Sequence, residues 1–508
     1  MSERTYYVTT PIYYISGQPH IGHAYTTIVA DVLARTARTS RSSFFLTGTD
    51  EHGQKVAEAA EHAGMSPQAW CDALVPRWQQ LFASYDCAYD DFIRTTQPRH
   101  ERVVSAVFEQ LRANGDVYRG TYEGWYCVSD ETFWLESKLI DGNCPTCGRP
   151  VTRLTEESWF FRLSAYRQRL LEHFRANPEW VRPRSAYNEM LAILEGGLED
   201  LSISRTAFDW GIPIADGSGV IYVWFDALLN YISAIGWSSD NAAFHARWPA
   251  DVQLVGKEIA RFHTIVWPAV LMALGLELPR LVYAHGWITV DGQKIGKSLG
   301  NAVDAFVLAE RYGADTIRYF LLREAPFGSD FSYSEEKIIA RRNADLGNDL
   351  GNLLNRSISM ITKYFSGVVP LSTATTFSDA FTTLPPRYTE AVLDLRFRDA
   401  LEDAWTLVSG LNRSIDEHKP WALAKATDDS EAQARLATVM YDLIAGLRWL
   451  AIMLAQIMPD RAREMWHQLG FTDDIALQSI RELQWHDLLP GHHVGTGAPL
   501  FPRLELTS

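Results

Sequence analysis

Two hydrophobic periods divide this chain. Residues 5–13 alternate apolar and polar positions and predict a short buried strand, residues 24–38 predict a helix, and residues 43–48 predict a second strand. Alternating strands and helices predict a parallel sheet with covering helices. Residues 116–225 break the pattern with a cysteine cluster, Arg182-Pro183-Arg184 and many aromatics, and read largely as an insertion. Strands are predicted again at 220–225, 253–256 and 281–290. From Ser332 onward the period is helical. Ser332-x-x-Glu335 has the form of a capping box, and Ile338, Ile339, Leu346, Leu350, Leu353, Leu354, Ile358 and Ile361 recur at helical spacing. Residues 366–386, rich in Ser, Thr and Pro, read as a linker. Residues 388–416 and 431–458 are two further long amphipathic segments, so this part is a helix bundle. Residues 486–508 show little periodicity.

Composition narrows the class. Hydrophobic content of 47% with 21% charged residues fits a globular chain with a substantial core. The longest apolar stretch, residues 264–276, is short and holds Pro268, so a membrane span is not expected. The first residues lack the basic start and apolar core of a secretory signal. Five cysteines in 508 residues do not make a disulfide framework and point to a reducing, cytoplasmic setting. A net charge of −15 argues against a nucleic-acid partner. Against it stands a local basic concentration, Lys337, Arg341, Arg342, Arg356 and Lys363, which predicts one positive face on an acidic protein.

The chemistry concentrates at two places. Pro19-His20-Ile21-Gly22-His23 joins the first strand to the first helix. Its imidazoles sit where helix N–H groups and the positive dipole end favour phosphate, and Gly22 has no Cβ to keep a flat base from the backbone. Far downstream, Lys294-Ile295-Gly296-Lys297-Ser298 follows a strand and the turn Asp291-Gly292. Read alone it is a solvated loop. As a mobile cationic loop facing the histidines, it would bind the negative charge that builds on a transferring phosphoryl group.

The pair resembles the HIGH and KMSKS signatures of class I aminoacyl-tRNA synthetases. Further segments narrow the resemblance to the methionyl-tRNA synthetase family, in its short bacterial form. They are Thr9-Thr10-Pro11-Ile12-Tyr13-Tyr14, Gly48-Thr49-Asp50-Glu51-His52-Gly53, Gly197 to Arg205, Val223-Trp224-Phe225-Asp226-Ala227, Gly256-Lys257-Glu258-Ile259 with Phe262-His263, and Lys419-Pro420-Trp421-Ala422. The resemblance implies an α/β fold: a Rossmann-type nucleotide-binding catalytic domain (residues 1–115 and 226–331), an inserted connective domain (116–225, with a knuckle at 127–147), an all-α anticodon-binding bundle (332–470) and a tail (471–508).

It also implies roles. His20, His23, Lys294 and Lys297 would be catalytic; with Gly22, Glu258 and Ser298 they would bind ATP, and Mg2+ is expected with the triphosphate. L-methionine would be held by Ile12, Tyr14, Asp50, Trp224, Ala227, Leu228, Tyr231, Phe262 and His263, with Asp50 on the α-ammonium and aromatic edges on the sulfur. Asn352, Arg356 and Trp421 would read the anticodon of tRNA(Met) by stacking and edge contacts. The loop departs from the family pattern at Ile295 and Gly296, which predicts a more mobile loop and a modest loss of activation rate.

Cys127-x-x-Asp130 and Cys144-Pro145-Thr146-Cys147 form a knuckle that leaves both a structural Zn2+ site and a metal-free fold open. Cys71 and Cys87 read as buried apolar residues, and His492-His493 as solvated loop. A monomer is expected. A synthetase for another amino acid, a small-molecule nucleotidyltransferase and a non-enzymatic RNA-binding paralogue are the competing classes, separated by amino-acid-dependent ATP–pyrophosphate exchange.

Overall fold

The structure, a computed structural model, describes residues 4–505 except 129–131, 135, 146, 291–292, 295–302, 373 and 378–380. The chain forms two compact units. The first comprises Met1–Ala30, Ser43–Ala83 and Cys87–Gly286; the second comprises Asp31–Ser42, Ser84–Asp86 and Trp287–Ser508.

In chain order the first unit holds β1 (Tyr6–Thr9), β2 (Tyr13–Tyr14), β3 (Ser43–Asp50), β4 (Asp91–Arg94), β5 (Val117–Cys127), β6 (Thr132–Trp134), β7 (Thr152–Phe161), β8 (Val181–Arg182), β9 (Leu201–Ser202), β10 (Ser204–Arg205), β11 (Val220–Ile221), β12 (Val252–Gly256) and β13 (Val282–His285). The main sheet runs β2-β3-β1-β12-β13-β8 with β4 beside β3, and every pairing in it is parallel. All four residues of β1 are buried, as expected for a central strand covered on both faces. A separate antiparallel sheet, β6-β5-β7-β9, carries Cys127 at the end of β5.

Several elements differ from the sequence expectation. The strand expected over 5–13 is broken: Pro11 has no N–H to offer a ladder, so β1 ends at Thr9 and β2 restarts at Tyr13. The first helix, Ile21–Arg38, starts three residues before the expected Ala24 and takes Gly22 and His23 into its first turn. Residues 220–225 form only the two-residue β11, antiparallel to β10, after which Val223–Leu228 is helical. Within 116–225, β8 joins the main sheet beside β13. Two-residue strands carry too little periodicity to be read from sequence.

The second unit contains a small sheet, β14 (Ile288–Val290), β15 (Gln293–Lys294) and β16 (Phe331–Ser332), and a set of long helices. The strand expected over 281–290 is thus two strands, β13 and β14. The expected cap at Ser332 lies in β16; Ser334 caps helix Glu335–Arg341 instead, its hydroxyl accepting the Lys337 N–H. The amphipathic stretch 388–416 is two helices, Leu384–Leu393 and Phe397–His418, separated by a kink in which Leu395 takes φ 61°. Helix Ser430–Leu454 is long and apolar enough to cross a membrane by length and composition, but 83% of its apolar window is buried inside the protein.

The basic concentration does not form one open positive face. Arg342 is buried and donates to Tyr312 O and Thr316 Oγ1. Lys337 and Arg341 pair with Glu324, Arg341 also with Asp345, and Arg356 with Asp416. A second arginine, Arg318, is fully buried. It donates to Asp31 Oδ2 at 2.7 Å, Ile457 O at 2.7 Å, Tyr85 O at 2.9 Å and Gln456 O at 3.0 Å. Asp31 is also fully buried and accepts from Arg35 Nε at 2.8 Å. His492, expected in solvent, is half-buried, stacks on Phe471 at 4.3 Å and bonds Leu469 O at 2.7 Å.

Candidate active site

The C-terminal ends of β1, β2, β3 and β12 present most of the candidate residues of the first unit, where open α/β sheets bind ligands. His20 precedes the first helix and His23 lies in its first turn, with ring centroids 3.8 Å apart. The backbone N–H of His20 donates to His23 Nδ1 at 3.0 Å, and that of Gly22 donates to His20 Nδ1 at 3.1 Å. Each neutral ring therefore carries its proton on Nε2, and both are hydrogen-bond donors at a helix N-terminus. Tyr13 and Trp78 pack at 5.1 and 4.7 Å from His23 and orient it. The space a Cβ would fill on Gly22 is taken by the His20 ring, with Cε1 at 2.9 Å, so the missing side chain lets the imidazole pack on the backbone here. Glu258 follows β12, is exposed, and folds its carboxylate back over Gly256.

The methionine set forms three contacting groups. Tyr14 and Asp50 are register partners of β2 and β3; Asp50 is buried and Tyr14 half-buried. Trp224 and Phe262 stack with centroids 4.1 Å apart and planes at 4°. Tyr231 and His263 share a hydrogen bond at 2.8 Å. His263 Nδ1 also meets Ile259 O at 3.0 Å, and burial pushes its pKa down to about 4, so it stands neutral. It therefore donates from Nδ1 to that carbonyl and accepts the Tyr231 hydroxyl at Nε2. Ala227 and Leu228 are buried on the Trp224 helix, while Ile12, Tyr14, Trp224 and Phe262 are half-buried against the core cluster that contains Leu228 and Tyr231.

Sequence reasoning missed the group behind this set. Asp226, with no exposed surface, accepts from His52 Nδ1 at 2.6 Å and His100 Nε2 at 2.7 Å, and His100 Nδ1 meets Ser233 Oγ at 2.8 Å. Burial would raise the Asp226 carboxyl, but the two histidines hold it below the ordinary carboxylate range. Burial would likewise lower His52, but Asp226 raises it above its usual value. His52 and Asp226 both lie inside motif segments, and a carboxylate between apolar lining residues was the available signal.

Of the cationic loop, β15 places the Lys294 backbone opposite Thr289; Lys297, Ser298 and the Lys294 side chain lie outside the described residues. Asp130 also lies outside them. The sulfurs of Cys127, Cys144 and Cys147 all lie within 4.8 Å of one another, with Cys127 and Cys147 at 3.5 Å. Thiolates about 2.3 Å from a tetrahedral ion stand somewhat under 4 Å apart, so these three fit zinc. In the second unit, Asn352 and Arg356 are exposed one helical turn apart on helix Asn352–Phe365. Arg356 reaches Asp416 at 3.4 Å. Trp421 follows Lys419, which takes φ 46°, and is 44% exposed.

Comparison with known proteins fits this geometry. Residues 6–156 and 149–358 match the family described as tRNA synthetases class I (M), so the chain is a class I tRNA synthetase. It is 50% identical to the methionine–tRNA ligase of Caldanaerobacter subterraneus subsp. tengcongensis over 99% of this chain and 80% of that protein. It is 46% identical to that of Thermotoga maritima over 98% and 80%. Methionyl-tRNA synthetase of Mycobacterium tuberculosis, solved with methionyl-adenylate, superposes with a TM-score of 0.93 at 40% identity, covering 99% of this chain and 100% of that one. The chain belongs to the methionyl-tRNA synthetase family.

Proposed function

We propose that this chain activates L-methionine with ATP to methionyl-adenylate and pyrophosphate, then transfers the methionyl group to the terminal adenosine of tRNA(Met). The carriage rests on one observation above all: two imidazoles locked as Nε2–H donors at a helix start, in the same compact unit as the stacked, half-buried aromatic set.

In the first step the methionine carboxylate attacks the α-phosphorus of ATP and pyrophosphate leaves, so no protein nucleophile is needed. His20 and His23 donate to phosphate oxygens as negative charge builds. Lys294, Lys297 and Ser298 would bind the β- and γ-phosphates, and Glu258 and Gly22 would contact the nucleotide. Mg2+ would accompany the triphosphate and supply further charge neutralisation. Asp50 pairs with the α-ammonium, and the Trp224–Phe262 stack, Ile12, Tyr14, Ala227, Leu228, Tyr231 and His263 surround the thioether. A neutral His263 suits an apolar side chain better than an imidazolium would.

Residues 1–115 and 226–331 form the catalytic domain of this reading and 332–470 its anticodon-binding bundle. There Asn352 and Arg356 read base edges and Trp421 stacks an unpaired base of the anticodon. Cys127, Cys144 and Cys147 would hold a structural Zn2+, with Asp130 as the fourth position. The enzyme acts as a cytoplasmic monomer.

ATP–pyrophosphate exchange across a panel of amino acids tests the reading. Exchange with methionine alone is expected; no exchange with any amino acid would overturn it.

A further inference from the structure

The buried group centred on Asp226 links elements that carry Tyr14, Asp50, Trp224 and Tyr231 without belonging to the methionine set. Asp226 sits on helix Val223–Leu228 between Trp224 and Ala227. Its Oδ2 holds His52, two residues beyond Asp50. The His52 carbonyl in turn accepts the Tyr14 hydroxyl at 3.0 Å. Its Oδ1 holds His100, whose other nitrogen meets Ser233 on helix Asn230–Ser233, the helix that carries Tyr231. Glu51, between Asp50 and His52, is anchored separately by both nitrogens of an Arg94 fork at 2.7 and 2.9 Å and by Thr96 at 2.7 Å. The strand end carrying Asp50 is therefore fixed on one side by Arg94 and tied on the other to the pocket helix through one carboxylate.

A buried ionised group is an expensive way to join two elements, and an apolar contact would hold them with less penalty. What charge-assisted hydrogen bonds add is direction: two short bonds from one carboxylate fix the separation and the rotation of the elements they join. Here those elements bear Tyr14, Asp50, Trp224, Ala227, Leu228 and Tyr231. We propose that Asp226 is a positioning residue for methionine recognition, setting the spacing between the ammonium-binding end of β3 and the thioether-binding helix through His52 and His100. This rests on the methionine reading given above.

The test is steady-state ATP–pyrophosphate exchange with Asp226→Asn, Ser233→Ala and the parent protein, varying methionine and ATP separately. Thermal unfolding is measured alongside. Asparagine has nearly the same shape but can offer only one oxygen to two N–H donors. Asp226→Asn should raise KM for methionine about tenfold or more, leave KM for ATP within about twofold, and weaken discrimination against norleucine, which has the same length without sulfur. Ser233→Ala, which loosens only the outer link, should raise KM for methionine about two- to threefold with unchanged melting, and it carries the test if Asp226→Asn does not fold. Equal changes in both KM values, or a fall in kcat alone that follows a lowered melting temperature, would assign Asp226 a structural role and overturn the proposal. Unchanged KM for methionine in both variants would also overturn it. Failure of the parent protein to exchange with methionine would instead overturn the functional reading.

Discussion

Replacing Arg318 by methionine removes a guanidinium that has no contact with solvent and donates to Asp31 and to the carbonyls of Tyr85, Gln456 and Ile457. Methionine fills much of the volume, so the loss is electrostatic: Asp31 stays buried without its closest cation, and three carbonyls lose a donor. Breaking a buried pair in this way costs about 3–5 kcal/mol. Arg35 still reaches Asp31 at 2.8 Å and is 17% exposed, which places the expectation near the lower end. At roughly 2–4 °C per kcal/mol for a unit of this size, a loss of about 3 kcal/mol lowers its melting by roughly 6–12 °C. Scanning calorimetry at a fixed scan rate measures this. Adding Asp31→Asn removes the stranded charge, so the double variant should be more stable than the sum of the single losses by about 1–2 kcal/mol. A single Arg318→Met variant that melts within about 2 °C of the parent, or single effects that simply add, would refute the reasoning.

Four further outcomes follow from the geometry. His263 has a folded pKa near 4 against 6.5 in an unfolded chain. Between these values only the unfolded state binds the proton, so the stabilisation is complete above about pH 6.5 and is lost as pH falls toward 4; His263→Gln should flatten that part of a stability–pH curve by on the order of 3 kcal/mol. Gly22→Ala places a methyl 2.9 Å from His20 Cε1, where the ring rather than the backbone must give way; melting should stay within about 2 °C while exchange activity falls about tenfold or more. Trp421→Ala removes a 44% exposed ring; charging of tRNA(Met) should fall about tenfold or more, from a lost stack of about 1–3 kcal/mol, while ATP–pyrophosphate exchange is unchanged. The three-cysteine cluster should retain one zinc per chain by elemental analysis, and Cys144→Ser should abolish that retention.

Most of the main sheet was legible because strand-like segments alternate with helical periods, though the short β4 and β8 were not read as strands. Its interruptions were not legible. Pro11 stops a strand that alternation alone would carry through, and Leu395 adopts φ 61°, which nothing about a leucine announces. The charges misled for a similar reason: Arg342 lies inside a basic run but its donors are consumed by Tyr312, Thr316 and Pro502, which only the packing reveals. Motif residues named the histidine pair and the methionine set. Their supports stayed hidden, since Asp226 meets partners 126 and 174 positions away. Neither spacing leaves any periodic trace.

The hydrogen bonds that aim His20 and His23 also limit what those rings can do. A proton arriving at either Nδ1 would set two N–H groups against each other and cost that ring its backbone hydrogen bond. That penalty disfavours either ring as a proton shuttle. On the proposed reading the pair would work as fixed dipoles, and the bond-making step would proceed without acid–base help from that turn.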